Sequence, residues 1–576
     1  MGGGGMGVDY AALDRERGAR VALKMLQHVS ADGLLRFKTE FRALQDVQHP
    51  NLVSFGELIE DRGQWWLTME LVEGTAFLDH VRPGGHLDED RLRAALPQLA
   101  AGLQALHAHG LVHRDVKPSN VRVTPAGRLV LLDFGLVTGV TQSESHVVGT
   151  PAYMAPEQGA LQAVGPAADW YGAGALLYEA LTGTLPFRGA PLQVLMAKQQ
   201  DVPRRPRELA SVSEDLDALC MQLLAVEPAA RLVAAAALAG LDPGAAPAAP
   251  PTGLAASPGF VGRKRELAEL ADAFSETRAG VEAIVLVQGE SGIGKSALVE
   301  QFLGELCGRA PGALVLAGRC YERETVPYKG IDGVVDMLAR HLRKLPEADA
   351  VAVLPRRAGL LVQAFPVLGK VPALCRLPAG EVLDPVELRT RVLAALRELL
   401  GRLAERRPLV VWIDDLQWAD ADSLELLAWA MAPPEAPPLL LLLASRPPRE
   451  TPGDSSTEAA MAKLRALPRL RVLELSRLLR GDAVELAERL LAAHPAATPV
   501  SAALVADEAA GHPLFIDALV RHTTLRQAAR PPLRLSEALW ARIAELDPAA
   551  RQLLALIAVA GWPLPPELLT AAAMVP

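Results

Sequence analysis

Asp115 and Asn120 lie five residues apart in LVHRDVKPSN (111–120), and Asp133 follows thirteen positions after Asn120 in LVLLDFG. Two carboxylates and an amide, each at a strand or loop end, are the set that phosphoryl transfer needs: one to orient a hydroxyl, two to hold Mg²⁺. A second set lies in AIVLVQGESGIGKSALVEQF (283–302), where Gly289 is followed by four residues and then Gly294, Lys295 and Ser296, with Gly292 inside the loop. Glycines let successive N–H groups face a β-phosphate at a helix N-terminus, Lys295 supplies a point charge, and the Ser296 hydroxyl reaches Mg²⁺. Its partner is PLVVWIDDLQWADADSLELL (408–427), an apolar run ending in Asp414 and Asp415. A buried parallel strand there would deliver Asp414 to the Mg²⁺ water and Asp415 to an attacking water.

The elements around these residues are legible as patterns. The glycine-rich loop is bounded by an apolar strand and a helix. Asp384 reads as the N-cap and Pro385 as the first turn of a helix whose Leu388, Val392, Leu396, Leu399 and Leu403 recur at helical spacing. LLLLLASRPPRE (439–450) reads as a further buried strand ending in Ser445 and Arg446. In VALKML, Lys24 stands mid-strand among apolar neighbours, where an ammonium is costly unless phosphates and a carboxylate meet it. LDPGAAPAAPPTGLAASPG (241–259) is Pro- and Ala-rich and reads as a linker. Arg204, Arg205 and Arg207 in VPRRPREL read as a solvated loop.

A chain of 576 residues argues for several domains. With 50% hydrophobic, 22% charged and 4% aromatic residues, the cores should be aliphatic and largely helical. The net charge of -9 disfavours nucleic acid as a partner. The longest leucine run, Leu439 to Leu443, is far short of the ~20 apolar residues of a membrane span. Four cysteines scattered without a CxxC pair fit neither zinc nor a disulfide framework, so a cytoplasmic location is expected.

The first of these sets resembles the bacterial eukaryotic-like serine/threonine protein kinases over roughly residues 2–235. The resemblance rests on HRDVKPSN, the Asp133-Phe134-Gly135 triplet, GTPAYMAPE (149–157), DWYGAG (169–174) and Arg231, which the family pairs with Glu157. It implies Asp115 as base with Lys117 beside it, Asn120 and Asp133 as metal ligands, and Lys24 paired with Glu40. His113 would hold the catalytic loop, and Arg114 would answer an activation-loop phosphate. Lys117 and Thr150 place the chain in the Ser/Thr branch, and Thr138, Thr141, Ser143 and Ser145 become autophosphorylation candidates. Gly2, Gly4 and Gly7 fit the family's nucleotide loop, but Asp9 stands where the family has Val, an unfavourable exchange beside adenine and phosphate. The family's first strand is expected to be missing, with the natural start upstream, and the chain reads as cut after GWPLPPELLTAAAMVP.

The second set, with VGRKREL, WIDDLQWAD and ASRP, resembles the STAND group of AAA-type ATPases. That resemblance implies Arg446 as a reader of the γ-phosphate. In GHPLFIDAL (511–519), it implies Pro513 as a contact on the adenine side, and LRLSEALWARIAELDPAARQLLALIAVAG (533–561) as the start of a winged helix. The expected architecture is multidomain. A bilobal α+β protein kinase fold (1–240) and a linker (241–258) precede an α/β P-loop NTPase (259–470) with helical and partial winged-helix subdomains (471–576). The expected function is ATP- and Mg²⁺-dependent phosphorylation of protein serine and threonine, regulated by the fused ATPase switch, with self-association and trans-autophosphorylation. The alternatives are a pseudokinase scaffold, supported by Asp9 and the missing strand, and a DNA-binding regulator acting through the winged-helix start.

Overall fold

A computed structural model describes residues 3–4, 7–15, 19–26, 31–45, 47–61, 63–133, 138–139, 150–160, 162–239, 260–375, 384–447, 455–493, 500–525, 534–544, 546 and 548–560. The chain divides into two units, Met1–Leu254 and Ala255–Pro576. Gly2, Phe134, Gly135, Thr141, Ser143, Ser145 and the Pro/Ala-rich stretch lie outside the described residues.

The first unit opens with antiparallel strands in the order Gly3–Gly4, Gly7–Asp14, Ala19–Leu26, Gln64–Glu70, Phe55–Asp61. The register sets Asp9 opposite Lys24 and Lys24 opposite Leu67. Beside this sheet runs the helix Ala31–Leu44, which buries Leu34, Phe37, Phe41 and Leu44 on one face. Glu40 lies on the same helix, and its side chain is outside the described residues.

The remainder of the first unit is mostly helical. The helix Glu89–Ala108 is capped by Asp88, whose side chain accepts the Arg91 N–H, and it buries Leu92, Leu96, Leu99, Leu103 and Leu106. The helix Ala167–Thr182 is buried along nearly its whole length. Its small residues permit close packing: a Cβ at Gly174 would lie 2.7 Å from Leu223 Cβ. A hairpin of Val121–Val123 and Leu129–Leu131 follows the catalytic-loop motif and delivers Asp133 from its end. The three arginines of VPRRPREL are exposed, as expected of a solvated loop, and two of them also serve a buried acid. Arg205 Nε donates to Asp217 at 2.9 Å, and that carboxylate, which also accepts the Arg207 N–H, is fully buried. Burying an acid at this position requires the cation.

In the second unit five parallel strands run in the order Leu314–Arg319, Leu409–Asp414, Leu440–Ser445, Ala283–Gln288, Leu470–Glu474. The three central strands are continuous apolar runs because helices cover both faces of a parallel sheet. Their C-terminal ends carry Asp414, Ser445 and Gln288 to one edge, beside the loop that precedes the helix Lys295–Arg309. The helix Pro385–Arg406 forms as its spacing requires, with Asp384 accepting the Glu387 N–H. A second core gathers Ala483, Ala487, Leu490, Val505, Ile516, Leu519 and Val520 from the helices Arg480–Ala493, Ala502–Glu508 and Pro513–Leu525. The helices Leu535–Ala544 and Pro548–Ala560 follow.

Candidate functional site

Asp115 is buried at the centre of a polar cluster in the first unit. Its Oδ1 accepts the Thr150 N–H at 3.1 Å and the Thr150 hydroxyl at 2.9 Å. Its Oδ2 accepts Lys117 Nζ at 2.6 Å, and Lys117 also donates to Thr150 Oγ1 at 3.0 Å. Asn120 Nδ2 donates to the Asp115 main-chain carbonyl at 3.0 Å, which orients its amide. The cluster is a carboxylate held in one rotamer with a cation beside it, as needed to orient a hydroxyl and stabilise charge on a transferred group.

The loop carrying Asp115 is braced from beneath by Asp169. This fully buried carboxylate accepts the main-chain N–H of His113 at 2.8 Å and of Arg114 at 2.7 Å, and it bonds His107 Nε2 at 2.8 Å. Burial pushes the Asp169 carboxyl up, but its bond to His107 and the His107 and His113 charges outweigh this and hold it below the ordinary value. Arg114 adopts φ 66° and Asp133 φ 56°, in the left-handed region that side chains other than glycine rarely enter. Strained backbone of this kind persists where the surroundings over-determine it, and it concentrates at functional sites.

Lys24 Nζ lies 2.8 Å from Asp133 Oδ1, which connects the sheet to the loop end. Lys24 is buried and the Asp133 side chain half-exposed. Burial raises the Asp133 carboxyl, but the Lys24 charge and hydrogen bond prevail and set it below its usual value. An anionic Asp133 and the Asn120 amide offer hard oxygen donors, the type Mg²⁺ prefers. Gly4 and Gly7 lie on the first two strands; Gly2 and the Glu40 side chain are outside the described residues.

In the second unit Gly292 (φ 76°) and Gly294 (φ 97°) take left-handed turns, as a phosphate-binding loop would require. Lys295 Nζ donates to the Gly289 and Glu290 carbonyls, each at 2.9 Å, and so lies folded over the loop. Burial lowers the Lys295 pKa, and the Arg446 charge lowers it further, against Asp415 and Asp414. Ser296 Oγ donates to Asp414 Oδ2 at 2.7 Å, so the two expected metal-side groups meet across 118 residues. Burial raises the Asp414 carboxyl; the Ser296 bond opposes this in part, and the Asp415 charge adds to it.

Asp415 stands at φ 53°, accepts Arg319 Nε at 2.9 Å and accepts Gln417 Nε2 at 2.8 Å. Gln417 in turn accepts the Arg446 main-chain N–H at 3.1 Å, and the Arg446 guanidinium lies 6.0 Å from the Trp418 ring centre. Arg446 is thus brought to the strand end beside Asp415. Pro513 begins its helix directly after His512, and both His512 and Leu514 pack on the phosphate loop. A Cβ at Gly292 would lie 2.7 Å from Leu514 Cβ and 3.2 Å from His512 Cε1.

Several residues of these sites escaped the sequence reading. Arg319 lies in no motif and Gln417 sits inside WIDDLQWAD with no chemistry of its own; both join the site only by facing Asp415. His512 sits inside GHPLF, where Pro513 alone drew attention. Asp169 was visible within DWYGAG, but its bracing of the catalytic loop depends on a helix 55 residues away in sequence.

Both units resemble known protein domains. Residues 1–240 match the protein kinase domain family, and residues 259–442 match the AAA ATPase domain family. The serine/threonine-protein kinase pkn2 of Myxococcus xanthus is 38% identical over 202 residues, covering 33% of this chain and 24% of that protein. The serine/threonine-protein kinase PknA of Mycobacterium tuberculosis is 36% identical over 232 residues, covering 36% of this chain and 54% of that protein. For the serine/threonine-protein kinase PrkC of Bacillus subtilis the identity is 29% over 237 residues, 40% of this chain and 37% of that protein. The chain thus spans from about a quarter to just over half the length of these relatives. Among the described residues no helix is long and apolar enough to cross a membrane. The chain joins a protein kinase domain, residues 1–240, to an AAA ATPase domain, residues 259–442.

Proposed function

We propose that this chain transfers the γ-phosphoryl group of ATP to serine and threonine hydroxyls of proteins, and that its ATPase unit is a nucleotide-dependent switch of the STAND type acting on that activity. The observation that carries the first half is the Asp115–Lys117–Thr150–Asn120 cluster, with Lys24 bonded to Asp133 beside it. Asp115 orients the acceptor hydroxyl and receives its proton as the oxygen bonds to phosphorus and the bond to the β-phosphate oxygen breaks. Lys117 neutralises charge next to that oxygen, and Lys24 holds the α- and β-phosphates. Asn120 and Asp133 are the residues that would hold Mg²⁺, and Ser296 and Asp414 those of the second unit. The ion supplies charge neutralisation of the phosphates. A pseudokinase is not favoured, since the relatives are serine/threonine kinases and Lys24 bonds Asp133 while Asn120 bonds the Asp115 carbonyl. Labelled phosphate transfer from ATP to casein, compared between wild type and Asp115→Asn, tests this half.

The second half is supported by the packing of His512 and Leu514 on Gly292, which couples the helical subdomain to the loop that would hold phosphate. A ligand shifts such an element only by its differential affinity for the two states. Pro513 on the adenine side and Arg446 facing the γ-phosphate would supply that difference between ADP and ATP. We assign the remaining features to the same scheme: self-association promotes phosphorylation in trans, and the protein works in the cytoplasm. Lys295→Ala is expected to lower the stoichiometry of a fluorescent ATP analogue from two equivalents to one and to change the protein-concentration dependence of autophosphorylation. Unchanged stoichiometry and unchanged concentration dependence would refute the switch.

A further inference from the structure

The segment from Thr150 to Met154 leaves the Asp115 cluster directly, because Thr150 is bonded to both Asp115 and Lys117. The segment is therefore the stretch of chain next to the hydroxyl position that Asp115 would serve. Three of its main-chain carbonyls, those of Pro151, Ala152 and Met154, point at a single atom. Nζ of Lys198 donates to them at 2.8, 2.7 and 2.7 Å. An ammonium has three N–H donors and no acceptor, so donors and carbonyls match in number.

Lys198 sits on the helix Pro191–Gln200, is 1% exposed, and its ammonium lies 5.1 Å from the centre of the Tyr171 ring. Burial brings its pKa down to about 7. Burying an ammonium is expensive unless it is fully hydrogen-bonded, and here the bonds all go to one loop. Removing the donor would leave three carbonyls facing the interior without a partner, and the segment would have to turn to find water.

We propose that Lys198 is a positioning residue for the protein substrate: it holds residues 151–154 in the shape along which the acceptor peptide lies. The proposal rests on the kinase reading above. In the full chain, with dephosphorylated casein and labelled ATP, Lys198→Met is expected to raise the KM for casein about tenfold or more while the KM for ATP stays within about twofold. Lys198→Arg keeps the charge but spreads its donors over a planar fork in a site closed around one nitrogen, so its casein KM should lie between wild type and Lys198→Met. A purely structural role would lower the melting temperature and the active fraction, leaving the casein KM unmoved. Hydrogen exchange gives a reading independent of catalysis. In Lys198→Met the amides of residues 152–154 should exchange about tenfold faster or more, with those of Ala167–Thr182 unchanged. If Lys198→Met melts without a cooperative transition, Lys198→Gln, which keeps two donors, is read in the same way. An unchanged casein KM, or unchanged exchange at 152–154, overturns the proposal. A wild-type protein that transfers no phosphate defeats the kinase reading instead, and exchange at 152–154 then decides the role of Lys198.

Discussion

Asp115→Asn is expected to lower phosphoryl transfer to casein by about 10²- to 10⁴-fold, the usual contribution of a positioned general base. The substitution preserves volume but replaces an oxygen acceptor with an NH₂ donor. Asp115 accepts from Thr150 through Oδ1 and from Lys117 through Oδ2, so no orientation of an amide satisfies both. The side chain loses both its proton acceptor and its fixed rotamer. ATP binding should change little, since Lys24 and Asp133 are untouched. Initial-rate transfer measurements alongside nucleotide titration read both quantities. More than about a tenth of wild-type activity in the variant would show that Asp115 is not the base.

The largest stability effect is expected at Arg231. Its guanidinium is fully buried, donates to Glu157 at 2.8 and 3.0 Å and to the Ala167 carbonyl at 2.9 Å, and lies 5.4 Å from the Tyr171 ring centre. Arg231→Met leaves the Glu157 carboxylate buried without its cation, a change that typically costs about 3–5 kcal/mol. Against a domain stability of about 5–15 kcal/mol, the loss is a large fraction of the whole. At roughly 2–4 °C per kcal/mol for a unit of this size, the melting transition of the first unit should fall by about 6–20 °C. The ATPase unit has its own core, so its transition should remain where it is. Calorimetry resolves the two. Adding Glu157→Gln to Arg231→Met should recover part of the loss, because the uncompensated charge is then gone. A first transition lowered by less than about 2 °C would mean that the pair carries little net stability.

The residues proposed to do the chemistry were legible where the chain itself keeps them close. Asp115, Lys117 and Asn120 lie within six residues, and the phosphate loop runs unbroken from Gly289 to Ser296, so local spacing sufficed. Buried parallel strands announced themselves by apolar runs, and the helix after Asp384 by its period and cap. Residues that act only through a partner were harder to find. Arg205 is solvated like its two neighbours, but its pairing with the buried Asp217 could not be seen along the chain. Lys198 sits in a helix of unremarkable composition, and only the burial of its Nζ against three carbonyls separates it from a surface lysine.

The sequence by itself determined the candidate reacting groups and the elements that bear them, because helix and strand periodicity, capping and glycine-rich turns act over a few residues along the chain. Tertiary structure alone decided which charges meet: Lys24 with Asp133, Ser296 with Asp414, Arg231 with Glu157, Asp169 with the catalytic loop. Those pairings span 55 to 118 residues, and hydrogen bonds and ion pairs depend on distances of a few ångströms, which no sequence spacing encodes until the core has closed around them.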